Sequence, residues 1–238
     1  MKLDILAFAA HPDDVELSCG GTIIKHVKLG YKVGIVDLTQ GELGSRGTAE
    51  TRKVEATDSS KILGLSVREN LKMADGFFEI SQENKLKIVQ IIRKYQPKIV
   101  FANSIHDRHP DHGRASKLVS EACFLAGLAK IITTENGVSQ KSWRPEVVYH
   151  YIQDHYIKPD FIVDVSEFID LKIESVKAYK TQFFDPNSTE PPTPISGEDF
   201  FEFLKARSRE FGRLIQCEFG EGFTVEKPLK IKDVMQSV

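Results

Sequence analysis

The sequence predicts an α/β fold: a doubly wound, mostly parallel sheet with helices on both faces, followed by an irregular C-terminal α+β extension. Three observations carry that expectation. Residues 3–9, 31–38 and 98–102 are apolar runs of strand length, each followed by a polar loop and then by a longer segment with apolar residues at helical spacing. Up to residue 129 the elements alternate as β-α-β-α-β-α-β-α, the pattern of parallel strands joined by helical crossovers. Two polar stretches of one kind, His11-Pro12-Asp13-Asp14 and His109-Pro110-Asp111-His112, lie in loops after the first and fourth of those strands. Ligands of open α/β sheets bind in that position, outside the C-terminal strand ends.

The elements follow in order. Residues 3–9 form strand one. Gly20-Gly21 opens a helix with Ile23, Ile24 and Val27 on one face, ending near Gly30. Residues 31–38 are a second buried strand, and a polar, glycine-rich loop runs from Thr39 to Gly47. Residues 48–63 are a weakly amphipathic helix stopped by Gly64, and 66–72 a short third strand. Ser81 caps a helix that reaches Tyr95, where Gln96-Pro97 ends it. Residues 98–102 are strand four, and 111–129 a helix whose stripe includes Ala115, Leu118, Val119 and Ala122. Residues 133–145 read as a loop, 146–152 and 160–165 as strands. Ser166 caps a helix to about Gln182. Residues 183–196 hold four prolines and read as an extended loop, either beside the site or on a bland surface. Ser196 and Asp199 form a capping box for a helix to about Cys217, with Phe200, Phe203, Leu204, Phe211 and Leu214 as its apolar face. The layout is Rossmann-like, and residues 1–238 read as a single domain.

Composition narrows the function. The 238 residues are 41% hydrophobic and 28% charged, enough for one sizeable core. A formal net charge of −2 gives no bulk electrostatic reason to expect nucleic acid or an anionic membrane as partner. The apolar stretches fall short of the roughly 18 residues a membrane span needs. The first apolar run breaks at His11 without a cleavage signal, so the expected location is the cytoplasm. Cys19, Cys123 and Cys217 are odd in number and widely separated, which suits small core residues rather than a disulfide framework.

The two polar stretches carry the chemistry. One imidazole and two carboxylates within four residues destabilise a fold unless a positive group compensates them. In a sheet of order 3-2-1-4-5, strands one and four are neighbours at the switch point, so their loops face each other across the ligand crevice. A catalytic zinc takes three N/O ligands and leaves one position open for water. His11 and Asp14 supply two from one turn, and His112, entering a helix at a fixed angle, supplies the third. Asp13 stands between two ligands as the general base for metal-bound water. His109 is left to stabilise an oxyanion or hand a proton to a leaving amine, with Asp111 orienting it and raising its pKa. Alone, each stretch is also an ordinary turn or a solvated helix start. Two of them at strand ends of one parallel sheet favour the metal. A non-catalytic sugar- or metal-binding module remains an alternative. A dinucleotide site is disfavoured, since strand one lacks a Gly-x-Gly-x-x-Gly loop.

These residues resemble the LmbE/PIG-L family of zinc-dependent N-acetylglucosaminyl deacetylases. The likeness lies in Ala10-His11-Pro12-Asp13-Asp14 with Glu16 and Gly20-Gly21, in residues 39–48 with Arg52 and Glu55-Ala56, and in His109-Pro110-Asp111-His112. The order of elements also fits. Gly41-Glu42-Leu43-Gly44-Ser45-Arg46-Gly47-Thr48 and Asp107-Arg108-His109 resemble the branch that deacetylates N-acetyl-α-D-glucosaminyl L-malate in bacillithiol biosynthesis. The resemblance implies zinc on His11, Asp14 and His112, with iron(II) suiting the same donors. It implies Asp13 as base, and His109 with Asp111 at the tetrahedral intermediate. The substrate would be a small glycoside with an anionic aglycone. Arg52 and Arg108 are the cations expected at its malate carboxylates, and Ser45 and Glu42 are candidates for sugar hydroxyls. Another N-acetyl sugar or a thiol conjugate is the alternative substrate. A homo-oligomer is implied, the hexamer being one form relatives take. One position departs from the pattern: some relatives place an oxyanion-assisting tyrosine where this chain has Asp107, and Tyr149, Tyr151, Tyr156 and Tyr179 are the candidates to replace it.

Overall fold

Ile5–Ala9 (β1) is buried on both faces, as the central strand of a parallel sheet must be. The computed structural model describes residues 1–231, 233 and 235. After β1 come Asp14–Lys28 (α1), Val33–Thr39 (β2), Ala49–Leu63 (α2), Val67–Met73 (β3), Gln82–Tyr95 (α3), Ile99–Ala102 (β4) and Pro110–Ala126 (α4). A small hairpin, Thr134–Glu135 (β5) and Val138–Ser139 (β6), lies within the expected loop. Val147–Tyr151 (β7), Phe161–Asp164 (β8), Ile169–Lys177 (α5), Phe200–Leu214 (α6) and Gly220–Val225 (β9) complete the described elements.

The main sheet has the order β3-β2-β1-β4-β7-β9-β8. Its first five strands run parallel, in the predicted doubly wound arrangement. Alternation along β1 divides the core. Leu6 and Phe8 pack with α3 and α4 residues such as Ile88, Ile92, Leu118 and Val119. Ile5, Ala7 and Ala9 pack with Val15, Ile23 and Ile24 of α1 and Leu63 of α2. α5 lies outside α1 and α2 and builds a third cluster with Tyr179 and Phe183. Among the described residues, no helix is long and apolar enough to cross a membrane.

Several local expectations need correction. α1 starts at Asp14, six residues before Gly20, and breaks from helical geometry only at Cys19 (φ −141°). The polar start is buried because its carboxylates serve the site, so it carries no amphipathic signal. Ser166 does not cap a long helix. Its hydroxyl donates to Asp164, residues Ser166–Phe168 form a 3₁₀ turn, and α5 ends at Lys177. The Ser196–Asp199 box does not form: the Ser196 hydroxyl pairs with the Thr193 backbone, and Asp199 caps without a side-chain bond. α6 ends at Leu214 and buries Leu204 and Phe211, leaving Phe203 and Leu214 exposed. β9 is an addition to the expected elements. It runs antiparallel to both neighbours and fills the gap between β7 and β8.

Glycine is required at two positions, one at a helix end and one inside a helix. Gly64 closes α2 in the left-handed region (φ 71°). A side chain at Gly21 would put its Cβ 2.9 Å from that of Val165.

Candidate active site

β1 and β4 are hydrogen-bonded neighbours, so the loops leaving their C-terminal ends meet. The His11 ring lies 4.6 Å from that of His109 and 5.5 Å from that of His112, centroid to centroid. Two main-chain features aim the groups. Asp13 sits at φ 116°, a left-handed conformation that separates its side chain from that of Asp14 as α1 begins. His109 is the N-cap of α4, and its Nδ1 accepts the Asp111 N–H at 3.2 Å. That bond leaves the proton of the neutral ring on Nε2.

Asp14 is the hub. Its Oδ2 accepts from the His11 main-chain N–H and from Asn103 Nδ2, both at 2.9 Å. Its Oδ1 accepts from Gln153 Nε2 at 3.1 Å and lies 3.1 Å from His112 Nε2. Asp14 Oδ2 is 3.7 Å from His11 Nδ1, so Asp14 meets the two imidazoles through different oxygens. Asp107 Oδ2 holds the far nitrogen of His112, Nδ1, at 2.5 Å. His11 Nε2 points at Asp75 Oδ1 (3.0 Å) and Asp111 Oδ2 (3.3 Å).

Charge balance shows what this cluster can hold. Burial alone would lower the pKa of His11, but hydrogen bonds to Asp111 and Asp75 and the charge of Asp14 raise it to about 10. His112 is raised to about 9, burial again being outweighed, here by Asp14 and Asp107. Asp14 is held far below the usual carboxylate range despite burial, chiefly by the charge of His112. The protein thus balances its converging carboxylates with protonated imidazoles, and a divalent cation facing neutral ones would serve the same end. Imidazole and carboxylate donors suit zinc or iron. Two sets of donor atoms lie within 4.8 Å of one another: those of His11, His109 and His112, and those of His11, Asp75 and Asp111.

Asp13 is buried apart from that hub. Burial raises its pKa to about 7, even though Arg52 Nη2 donates to its Oδ2 at 2.7 Å and favours the ionised form. His109 is shifted downward, by burial first and then by the charges of His11 and His112, so it is a neutral Nε2–H donor.

The other expected residues divide. Asp111 does not orient His109: its carboxylate is taken by His11, the Gly76 N–H at 2.8 Å and Arg114 at 2.6 Å, and only its backbone reaches His109. Arg52 faces inward, donating to Asp13 and to the Pro12 carbonyl, so it is not free for substrate carboxylates. Arg108 is on the cavity wall, paired with Asp154 at 3.0 Å. Glu42 and Ser45 are off the wall; Glu42 instead accepts the Asp75 N–H at 2.9 Å and sets that loop. The proline-rich segment leans on the glycine-rich loop through Ser188, which accepts from Arg46 Nη2 at 2.7 Å, and brings Ile195 to the cavity.

Sequence reasoning misses Asp75, since a single Asp-Gly after a strand looks like any turn. It marks Asp107 only as a departure. The candidate tyrosines are all elsewhere: Tyr151 and Tyr179 donate their hydroxyls to the Phe8 carbonyl and to Glu16, each at 2.9 Å, while Tyr149 packs on Phe161 and Tyr156 on Phe211. None of the four is on the cavity wall, where His109 offers its Nε2–H for an oxyanion. The cavity holds about 480 Å³, room for a small glycoside. The His/Asp centre and the 43–44 and 75–77 loops form one side, and a stripe of α6 from Phe200 to Phe211 the other.

Comparison with known proteins agrees with this architecture. Residues 6–123 match the family described as GlcNAc-PI de-N-acetylase (PIG-L). Diacetylchitobiose deacetylase of Thermococcus kodakarensis is 30% identical over 191 residues, 75% of this chain and 70% of that protein. The crystal structure of the conserved protein TT1542 from Thermus thermophilus superposes with a TM-score of 0.85 at 38% identity, covering 96% of this chain and 97% of that one. A probable N-acetyl-α-D-glucosaminyl L-malate deacetylase 2 of Bacillus subtilis is 24% identical over 76% of this chain and 84% of its own.

Proposed function

The chain belongs to the PIG-L family of GlcNAc-PI de-N-acetylases, and from that premise we propose that it hydrolyses the acetamide of a small N-acetylglucosaminide to acetate and a free amine. One observation carries the reading: a buried carboxyl poised near neutrality, Asp13, opens onto the cavity that also receives His11, His109 and His112. His11, Asp14 and His112 would hold the metal, with the His109 ring beside them keeping its Nε2–H for substrate. A zinc or iron(II) ion there would polarise the acetyl carbonyl and bring the pKa of water down to about 7.

The protein's own groups do the rest. Asp13, kept ionised in part by Arg52, accepts a proton from the attacking water. His109 donates its Nε2–H to the oxygen that gains charge as the carbonyl becomes tetrahedral. Asp13 then returns its proton to the nitrogen, and the C–N bond breaks to release the amine. Asp107 and Asn103 act on position: they fix the His112 ring and the Asp14 carboxylate.

As substrate we propose N-acetyl-α-D-glucosaminyl L-malate. The B. subtilis relative and an arginine at the cavity wall, Arg108, support an anionic aglycone. The same reading takes residues 1–238 as one domain acting in the cytoplasm and, from the family resemblance, as a homo-oligomer. The test is amine release from N-acetylglucosaminyl malate and from plain N-acetylglucosamine, with and without chelator. Release from the malate glycoside, lost on chelation and restored by zinc, is expected. Zinc-loaded protein inert on both, or activity indifferent to chelation, refutes the proposal.

A further inference from the structure

Arg207, on α6, stands on the wall of the same cavity. Its guanidinium is anchored by neutral groups: Nη1 donates to the Gln153 carbonyl and Nη2 to the Asp154 carbonyl, each at 3.1 Å. The rings of Phe203 and Tyr156 lie 5.6 and 5.9 Å from its Cζ. Its carboxylate neighbour, Glu210, is 3.4 Å from Nε, with a side chain 54% exposed, so water screens that pair.

The other cations on the wall are matched more tightly. Arg52 meets Asp13 at 2.7 Å, Lys172 meets Glu221 at 2.7 Å in full burial, and Arg108 meets Asp154 at 3.0 Å. Arg207 is therefore the wall cation whose carboxylate partner lies farthest away, at 3.4 Å. Of the five N–H groups of a guanidinium, two go to carbonyls and one toward Glu210. Each terminal nitrogen keeps one further N–H, from which a carboxylate can accept. Aromatic rings and backbone hold the group in place before a ligand arrives, which lowers the ordering cost of binding.

We propose that Arg207 is the specificity-determining residue for the anionic aglycone, its guanidinium taking a substrate carboxylate in the role that Arg52 is too enclosed to fill. The inference rests on the reading of the substrate as an N-acetylglucosaminide with an anionic aglycone. Arg108 reaches the same Gln153-Asp154 turn, but through the Asp154 carboxylate at 3.0 Å, where Arg207 is held by carbonyls.

Binding of the deacetylated compounds separates this from turnover. The affinities of α-D-glucosaminyl L-malate and methyl α-D-glucosaminide are measured calorimetrically on wild-type, Arg207→Gln and Arg207→Lys protein. The wild type is expected to prefer the malate glycoside. Arg207→Gln should cut that preference about tenfold, and Arg207→Lys should keep part of it. A merely structural Arg207, steadying residues 153–154, would weaken both ligands alike, so an unchanged ratio overturns the inference. A wild-type protein without the preference also overturns it. A protein that shows the preference and loses it in Arg207→Gln, yet deacetylates nothing, supports the Arg207 assignment and retires the deacetylase reading.

Discussion

Arg68→Met removes the cation of a buried network beneath the site. Arg68 Nη1 donates to Glu16 Oε1 at 2.6 Å, and its Nε and Nη2 donate to the two Asp37 oxygens at 2.8 Å. The side chains are 9%, 0% and 3% exposed, so little water replaces the lost partner. Methionine retains an apolar stem but no charge. Two carboxylates would then lie buried without a cation, with Ser59 and Tyr179 still donating to Glu16. Breaking one partner out of a buried ion network costs about 3–5 kcal/mol, a large part of the roughly 5–15 kcal/mol that holds a domain folded. At about 2–4 °C per kcal/mol for a chain of this size, Tm should fall by roughly 6–20 °C. The pH dependence follows from sign. Burial already raises the Asp37 pKa against the pull of Arg68, and without Arg68 it rises further above its unfolded value of about 4. Between those two values the folded state binds more protons than the unfolded one. Stability of the variant therefore drops as pH rises through that window, and the penalty is smallest at its acidic end. Adding Asp37→Asn should recover part of the loss. Urea denaturation across pH measures all three effects. A loss below about 1 kcal/mol, or a penalty that grows on acidification, would refute the reasoning.

Three further outcomes are expected. Asp13→Asn should lower hydrolysis by about 10²–10⁴-fold, with thermal melting run alongside to show that the loss is chemical. Asp107→Ala removes the carboxylate that fixes His112 and should weaken zinc binding by about 10–100-fold, read by competition with a chromogenic chelator; unchanged affinity would show that Asp107 does not position the ring. Gly21→Ala should destabilise by about 1–3 kcal/mol in thermal melts, because its Cβ meets the Val165 Cβ at 2.9 Å, outweighing the usual helix gain of alanine over glycine; a stabilised variant would contradict the packing.

The first four parallel strands and the meeting of the two motif loops are legible in the sequence, because apolar runs and their winding order depend on local residues and on handedness. β9 is hidden there. Gly220 to Val225 is short and holds two glycines, and its pairing partners lie 56 to 76 residues upstream. The start of α1 is hidden for another reason: Asp14, Glu16 and Ser18 are buried to face a hub and a network, so the periodicity that marks a helix is absent there. Within the site, motif spacing brings His11, Asp13, Asp14, His109 and His112 together. It cannot give the partner of each charge. Arg52 is turned to Asp13, Asp111 to His11, and the aromatic-flanked Arg207 comes from a helix that sequence alone reads only as an apolar face.

The late strand β9 ties completion of the pocket to translation. Glu221, on that strand, accepts the Gly21 and Thr22 N–H groups at 3.0 and 2.6 Å and meets Lys172 at 2.7 Å, so the back wall of the cavity closes only through a segment made after α1 to α6 are already synthesised. While Gly220–Val225 is still in the ribosome, β7 and β8 have no common neighbour and their unpaired edges are open to strangers. A released chain truncated before Gly220 should therefore expose both strand edges and lack the back wall of the cavity, whereas one that includes Val225 should close it.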